Sequence, residues 1–417
     1  MENKLTSQIR VNSLRLKGDF DDLAKIGKSD KERITRPAFS PSYQAARAWF
    51  SERIALAGLS FHVDGGGNHS AFLDCGSTDS SRLLIGSHLD SIPDGDCHEG
   101  ALGIVSALEI LRLVKEAGIH IDLNLEAIDL TDKKGALISQ LGSRALAGKL
   151  TVQDMDHPRG GRKTFLDSLA RVGLTEEGIL SVKREPGKVV GYLELQIDQT
   201  GRLMDSNADI GIVERVSGIG SYIFKFIGHL DYYPTTPVQD RVDASQGASS
   251  FILAVFRLLE DSFSGCVVNV GNVELSPDRL DLVPYNVSVS LEARALDLPT
   301  LDRLESALIK LGQMEAANFG LTLKVETLEK LLPASTNKMI QKAISESAEL
   351  LGLKSISMSN LAGQNAQSLV ELCPVGVILI PIMNSDRESR SESINWTNCL
   401  NGANVLLQTV LSLCFSQ

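Results

Sequence analysis

The chain has 417 residues, of which 43% are apolar and 22% charged, a balance that is typical of globular proteins and excludes a largely disordered chain. The net charge of −11, with no basic stripe, argues against nucleic-acid binding. No apolar run reaches membrane-spanning length, and the N-terminus lacks an apolar signal core, so we expect a cytoplasmic protein that does not cross a membrane. The six cysteines are scattered and are expected to be free thiols.

Apolar periodicity in the first half of the chain alternates between that of strands and that of helices. In chain order we expect helices 20–26 and 42–57, strands 60–63, 70–73 and 82–86, helix 104–117, strands 123–130 and 189–197, and an exposed loop at 157–163. This alternation is typical of an α/β domain with a mixed sheet.

The pattern changes at about residue 212. Strands 221–228, 266–274 and 287–293 are expected to bracket helices 244–259 and 300–319, and from residue 329 helices 335–351 and 401–413 flank strand 376–381. We therefore predict a catalytic-type α/β domain with a mixed sheet (1–212 and 329–417) and a smaller inserted α+β domain (213–328).

A group of polar residues follows the strand predicted at 82–86. His88 and Asp90 have the spacing of an imidazole that meets a metal and a carboxylate that orients it. Glu99, just before a helix, is placed to bridge a second ion. A lone His-x-Asp pair is more often an ordinary hydrogen-bonded histidine than a metal site, so the surrounding sequence has to decide.

Further landmarks extend along almost the whole chain. They are Ile34-Thr35-Arg36, Ala45-Ala46-Arg47, Leu130-Thr131-Asp132, Gly142-Ser143-Arg144-Ala145, Tyr192-Leu193-Glu194-Leu195, Pro234-Thr235-Thr236-Pro237, Arg241-Val242-Asp243-Ala244, Leu291-Glu292-Ala293-Arg294, Ala362-Gly363 and Trp396-Thr397. With residues 86–103, this order resembles the N-carbamoyl-L-amino-acid hydrolase and allantoate amidohydrolase family, within the aminoacylase and carboxypeptidase superfamily of dinuclear metallohydrolases. The resemblance implies that the inserted domain is a lid that closes over a small-molecule substrate and forms a homodimer.

The resemblance also assigns roles to single residues. His88 matches the family's first metal histidine, Asp90 its orienting carboxylate, and Glu99 stands in place of the bridging Asp. Lys133 and Lys134 stand where the family has a Glu that acts as general base and a Glu that binds metal. A protonated ammonium can neither bind a cation nor take a proton from water.

Three further positions depart from the family's histidines. Gln196 replaces a metal histidine, Ser391 replaces the last one, and Tyr232 replaces a histidine that stabilises the reacting carbonyl across the dimer. All seven histidines lie at or before His229, so the last 188 residues contain none. We therefore expect no metal and no other cofactor.

Five positions concern the ligand. Gln364 and Asn365 replace a His-Asp pair, whereas Gln199 keeps a family substrate contact and Arg294 matches the arginine that binds a substrate carboxylate. Asp281 stands in place of that arginine's partner Asn, where it would repel a carboxylate or pair with Arg294. We expect the ligand to differ from the family's, or to be held differently.

These replacements leave the net charge of the site the same as in the family's arrangement. Two dications with three carboxylates sum to plus one, and so do Glu99, Lys133 and Lys134. Lys134 is then expected to pair with Glu99 and to supply part of a metal's field, because buried charges persist when they are paired. The alternative is that both lysines extend into solvent.

Three functions remain open. The favoured one is a metal-independent enzyme acting on a small amide, acyl or amino-acid-like substrate. In it His88 and Asp90 form a general base, an adjacent lysine stabilises an oxyanion or forms a Schiff base, and Tyr232 donates a proton. Cys97 is a candidate nucleophile, or else an idle thiol. The others are a catalytically dead ligand-binding or regulatory pseudoenzyme, and residual metal-dependent hydrolysis of carbamoyl or ureido amino acids.

Overall fold

The computed structural model describes residues 8–29, 33–76, 81–95, 99–382 and 395–415. Two of the residues singled out above, Cys97 and Ser391, lie outside these ranges. The chain forms two compact units, a first unit of Met1–Glu214, Ser335–Met358 and Gln364–Gln417 and a second unit of Arg215–Ala334 and Ser359–Gly363.

The helices are distributed along the whole described chain. In chain order they are α1 (Ser13–Leu23), α2 (Pro41–Leu56), α3 (Ala101–Glu116), α4 (Leu141–Leu146), α5 (Val152–Asp156), α6 (Arg162–Arg171), α7 (Glu176–Ser181), α8 (Arg202–Asp205), α9 (Ala244–Ser262), α10 (Leu298–Asn318), α11 (Lys338–Leu350), α12 (Asn365–Leu369) and α13 (Trp396–Phe415).

The strands are mostly short. In chain order they are β1 (Ser60–Val63), β2 (His69–Leu73), β3 (Arg82–Ser87), β4 (Asn124–Asp129), β5 (Val189–Asp198), β6 (Ile210–Val216), β7 (Gly218–Ile227), β8 (Asp231–Tyr232), β9 (Val267–Ser276), β10 (Leu282–Val283), β11 (Asn286–Ala295), β12 (Thr322–Leu331), β13 (Ala334–Ser335), β14 (Ser355–Asn360) and β15 (Val375–Pro381).

A mixed sheet organises the first unit. In the described residues its order is β1-β2-β4-β3-β5-β15-β6-β13, and β14 pairs with β6. Strands β4, β3, β5 and β15 are parallel, and β1, β2 and β6 pair antiparallel to their neighbours. The parallel strands are almost fully buried, as expected of strands covered on both faces, and β4 and β5 include buried carboxylates such as Asp129 and Glu194. Because their carboxyl ends meet at one edge, residues that follow β3 and β4 come together there.

Helix α3 forms much of the core of the first unit. All but two of its residues are buried, so the helix is covered around its circumference rather than on one stripe, and its buried charged residues Glu109 and Arg112 form ion pairs. Gly103 lets it approach the sheet, since a Cβ at that position would lie 2.7 Å from the Ser87 Cβ. The first turn of α3 is thus held close to the end of β3.

The second unit is built on a separate antiparallel sheet of order β12-β7-β11-β9. Helices α9 and α10 pack on it through a core that includes Phe224, Phe226, Phe251 and Leu304. Strands β8 and β10 form a separate two-stranded ladder.

The predicted fold class, a mixed α/β domain with a smaller α+β domain, is confirmed. The analysis of periodicity missed β6, β12 and β14, and the loop predicted at 157–163 ends in the first turn of α6. The domain boundary predicted at residue 329 falls inside β12, and the change of unit follows Ala334. Among the described residues, no helix is long and apolar enough to span a bilayer.

Candidate functional site

The turn that follows β3 is fixed through the backbone of Leu89. Its N–H donates to Asp129 Oδ1 at 2.8 Å, and its carbonyl accepts from Arg36 Nε at 3.0 Å. Asp129 is itself paired with Arg47, whose Nε lies 2.9 Å from Oδ2, and both side chains are almost completely buried. Leu89 lies between His88 and Asp90, so these contacts set the position of both side chains.

The imidazole of His88 is fully buried. Its Nδ1 lies 2.9 Å from the Asp90 carbonyl oxygen and 3.3 Å from Asp90 Oδ1. Both neighbours are acceptors, so Nδ1 carries a proton, and in the neutral form of the ring Nε2 holds a lone pair. Among the described residues Nε2 has no hydrogen-bond partner. It faces Gly100, where a Cβ would lie only 2.7 Å from it.

The carboxylate of Asp90 also organises the turn after β4. Its two oxygens accept backbone hydrogen bonds from Lys133 N–H at 3.3 Å and Lys134 N–H at 2.8 Å. Burial would raise the pKa of Asp90, but its hydrogen bond to His88 and the Lys134 N–H hold it below its usual value. In the same turn Asp132 has a left-handed backbone (φ 53°), and burial beside Asp90 raises its pKa to about 7.

Two ammonium groups converge on one carboxylate at this place. Lys133 Nζ lies 3.2 Å from Glu99 Oε1, and Lys134 Nζ also forms an ion pair with Oε1. The other oxygen, Oε2, accepts from Gln199 Nε2 at 3.1 Å. The side chains of Lys133, Lys134 and Glu99 are 7%, 19% and 17% exposed, so both lysines turn inward rather than into solvent.

The pKa values follow from this arrangement. Burial alone would raise the pKa of Glu99, but the charges of Lys133 and Lys134 hold it well below its usual range. Burial and the charge of Lys133 lower the pKa of Lys134, against the opposing effect of Glu99. The carboxylate therefore stays ionised, and Lys134 gives up its proton more readily than an exposed lysine.

A second polar group lies beside this centre, on β5. Gln196 Nε2 donates to Ser87 Oγ at 2.8 Å and to Glu194 Oε1 at 3.0 Å. Glu194 also accepts from Asn365 Nδ2 at 3.2 Å and from the Ala366 N–H at 3.3 Å. Glu194 is fully buried, and these neutral donors satisfy its carboxylate.

Comparison with known proteins gives a consistent result. The chain is 26% identical over 395 residues to an N-carbamoyl-L-amino acid amidohydrolase of Geobacillus stearothermophilus, covering 94% of this chain and 96% of the relative. It is 27% identical over 428 residues to a ureidoglycolate hydrolase of Arabidopsis thaliana, covering 98% of this chain and 88% of the relative. The chain is therefore similar over almost its whole length to N-carbamoyl-L-amino-acid amidohydrolases and to a ureidoglycolate hydrolase. No family model matches it.

A solved structure, AtUAH in complex with (S)-hydroxyglycine, has the same fold as this chain. The TM-score is 0.89 with 24% sequence identity, and the match covers 99% of this chain and 100% of the other. The agreement in fold therefore extends over both units.

In the second unit, the two residues that the sequence predicts to lie at a substrate carboxylate, Arg294 and Asp281, are engaged with other protein groups. Arg294 Nε donates to Glu292 Oε1 at 2.8 Å, its Nη2 lies 2.7 Å from the same oxygen, and its Nη1 donates to the Leu361 carbonyl at 2.6 Å. Asp281 pairs with Arg279 at 2.8 and 2.9 Å, so of the two alternatives for Asp281, pairing with Arg294 is wrong.

Three further predicted residues are placed as follows. Tyr232 is 51% exposed at the end of β8. Gln364 and Asn365, at the start of α12, are buried, and each has a side-chain oxygen without a hydrogen-bond partner among the described residues. That these side chains act on a ligand stays a prediction.

The residues that support the site are not predicted as such from the sequence. Arg47 and Glu194 are named only within landmarks, and Asp129 is not named. Arg47 and Asp129 are each a charged residue within a mainly apolar segment, a pattern that signals a buried ion pair. Among the described residues, no group of three or more His, Cys, Asp and Glu side chains is arranged to hold a metal ion.

Proposed function

We propose that this chain is a metal-independent enzyme that acts on a small amide, acyl or amino-acid-like substrate, with His88 as general base. The observation that supports this most directly is the lone pair on His88 Nε2, which is buried and without a partner among the described residues. Asp90 holds the opposite nitrogen and stabilises the imidazolium that forms when Nε2 takes a proton. A base of this kind acts on water or on an acidic N–H or O–H of the substrate.

The side chains at the family's metal positions do not fit two cations. Of the family's ligand set, the described residues retain one imidazole, His88, and one carboxylate, Glu99. That carboxylate already accepts from two ammonium groups and one amide. Gln196 directs its N–H groups, which cannot bind a metal, at Ser87 and Glu194. We therefore derive no step through a metal ion.

Lys133 and Lys134 supply positive charge at the place where a metal would otherwise supply it. Their N–H groups are suited to a substrate carbonyl oxygen as it gains negative charge, because a fixed donor in a site shielded from water stabilises an oxyanion strongly. Both lysines are held in place twice, by their backbone N–H on Asp90 and by their ammonium on Glu99. This preorganisation is what such a role requires.

The relatives support the substrate class. Their names refer to N-carbamoyl-L-amino acids and ureidoglycolate, and AtUAH was solved with (S)-hydroxyglycine. These are small molecules that combine a carboxylate with an amide, ureido or amino nitrogen. A homodimer formed through the second unit, a role for Tyr232 and a cytoplasmic location remain part of the proposal.

A second candidate function has one observation in its favour. Both ammonium groups are already bound to Glu99, which is the arrangement expected if they only replace a structural ion. The chain would then be a ligand-binding or regulatory pseudoenzyme. Stabilisation by a ligand without any chemical change would favour this candidate.

The deciding experiment is turnover by protein purified without added metal and dialysed against EDTA. Release of ammonia or amine is followed over a panel of N-carbamoyl amino acids, N-acyl amino acids and ureidoglycolate. We expect turnover that EDTA leaves unchanged, and a loss of about 10²- to 10⁴-fold in His88→Ala. The exposed His120 provides a matched His→Ala control. Tightly bound metal at one or two ions per chain, with loss of turnover on chelation, would refute the proposal.

A further inference from the structure

We propose that Lys133 and Lys134 bind the carboxylate of a small organic acid, and that this acid also carries an O–H or N–H donor directed at His88 Nε2. The inference rests on the proposed function for the location of the substrate and deepens it by naming the two groups that the substrate must present. It also differs from what the resemblance implies, which is carboxylate binding by Arg294.

The first observation is that the ammonium groups of Lys133 and Lys134 have more N–H donors than they have acceptors among the described residues. Each ammonium has three N–H donors. Among the described residues, Lys133 and Lys134 each spend one of them on Glu99, so a carboxylate that accepts one more from each lysine leaves one on each for the reacting carbonyl oxygen. Both side chains are largely buried, at 7% and 19% exposure, so the remaining donors have little access to bulk water. Buried donors require acceptors, and a carboxylate offers about four acceptor sites with a charge opposite to that of the lysines.

The second observation is an unused acceptor in the same place. His88 Nε2 holds a lone pair, and the residue it faces, Gly100, directly follows Glu99 in the chain. A bare carboxylate next to that lone pair would be repelled, whereas a hydroxyl or amide N–H would donate to it. The site therefore matches a ligand with both groups, as in a 2-hydroxy acid or an N-acyl or N-carbamoyl amino acid.

The third observation concerns Arg294. Three of its nitrogens already donate to or pair with Glu292 and the Leu361 carbonyl, and Glu292 neutralises its charge. A substrate carboxylate at Arg294 would have to displace an existing ion pair. At Lys133 and Lys134 the substrate carboxylate would be a second anion beside two cations that now share the single carboxylate of Glu99.

The test is isothermal titration calorimetry with three probes at constant ionic strength. Glycolate has both the carboxylate and the donor, glycolamide has the same shape without the charge, and acetate has the charge without the hydroxyl. We expect saturable binding of glycolate, weaker binding of acetate and none of glycolamide. Equal responses to acetate and glycolate would refute the donor at His88, and an equal response to chloride would refute recognition of a carboxylate.

Variants of the lysine pair and of Glu99 test whether glycolate binds at these residues. Lys133→Met and Lys134→Met are each expected to weaken glycolate binding about tenfold or more, since each removes a charged hydrogen bond. Lys342→Met, at a 75% exposed lysine, controls for the loss of one positive charge. Glu99→Gln should bind glycolate more tightly, because the ligand then replaces the missing carboxylate.

The outcomes separate this inference from the proposed function. Weaker binding in Glu99→Gln, or a loss in Arg294→Met as large as that in Lys133→Met, would overturn the inference while leaving turnover by His88 intact. Glycolate binding without turnover of any substrate in the panel would uphold the inference and refute the enzyme.

Discussion

The ion pair between Arg47 and Asp129 gives the sharpest test of how the fold supports the site. Arg47→Met keeps most of the volume of the side chain but removes the cation. Asp129 is fully buried and Arg47 3% exposed, so the carboxylate that remains cannot be solvated by water. Breaking a buried pair from one side costs about 3–5 kcal/mol, which is the loss in unfolding free energy that we expect at neutral pH.

The pH dependence of that loss has a defined sign. Burial already raises the pKa of Asp129, and Arg47 opposes the rise. Without Arg47 the pKa of Asp129 rises further in the folded state, so the carboxyl group binds its proton more tightly folded than unfolded. The deficit of Arg47→Met relative to wild type should be small at low pH, where Asp129 is protonated in both folded proteins, and should grow as the pH rises above the wild-type folded pKa of Asp129, which lies above its usual value.

Urea unfolding followed by circular dichroism at pH 4.5 and pH 7.5 measures both effects. The double variant Arg47→Met with Asp129→Asn serves as the matched control, because its Asn still accepts from the Leu89 N–H and carries no charge. It should recover a large part of the loss at pH 7.5. A single variant that loses less than about 1 kcal/mol at pH 7.5, or a double variant no more stable than the single one, would refute the reasoning.

Three other predictions concern Gly100, Glu99 and the buried thiol of Cys399. Gly100→Ala places a Cβ 2.4 Å from the His88 carbonyl at φ 77°; it should lose about 1–3 kcal/mol in urea and abolish glycolate binding, whereas Gly118→Ala, with φ 60° and open space, should keep the binding. The pKa of Glu99 is lowered in the folded state, so its stabilisation is present above its unfolded pKa and lost as the pH falls; wild type should therefore lose more unfolding free energy than Glu99→Gln between pH 5 and pH 3, and parallel losses would contradict this. Burial raises the pKa of Cys399 to about 12, so its thiol should react with a disulfide reagent only after urea is added, as peptide mapping would show.

The sequence predicts those parts of this protein that depend on local pattern. The apolar run of β3 and the helix after Glu99 follow directly from periodicity, and they bring His88 to the carboxyl edge of a parallel sheet. The inward course of Lys133 and Lys134 was only one of two alternatives, because it depends on Asp90 capturing their backbone N–H groups from 43 and 44 residues away. A contact between residues so far apart in the chain produces no periodic pattern in the sequence.

The strands that were missed show the same limit. β12 alternates charged and apolar residues on an edge of the second sheet, and β14 is rich in serine. Neither has the continuous apolar run that marks a buried strand, and their pairing with β7 and β6 decides their conformation. Local strand propensity therefore predicts a strand poorly when pairing with a neighbouring strand decides its conformation.

The lysine pair on Glu99 determines where the positive charge of the site comes from. A bound ion has a dissociation constant, so its occupancy varies with the concentration of that ion in the cell. The charge on Lys133 and Lys134 is part of the polypeptide, present in every copy from synthesis and in fixed proportion to Glu99. Under the proposed function, metal starvation would therefore leave the positive charge of this position unchanged.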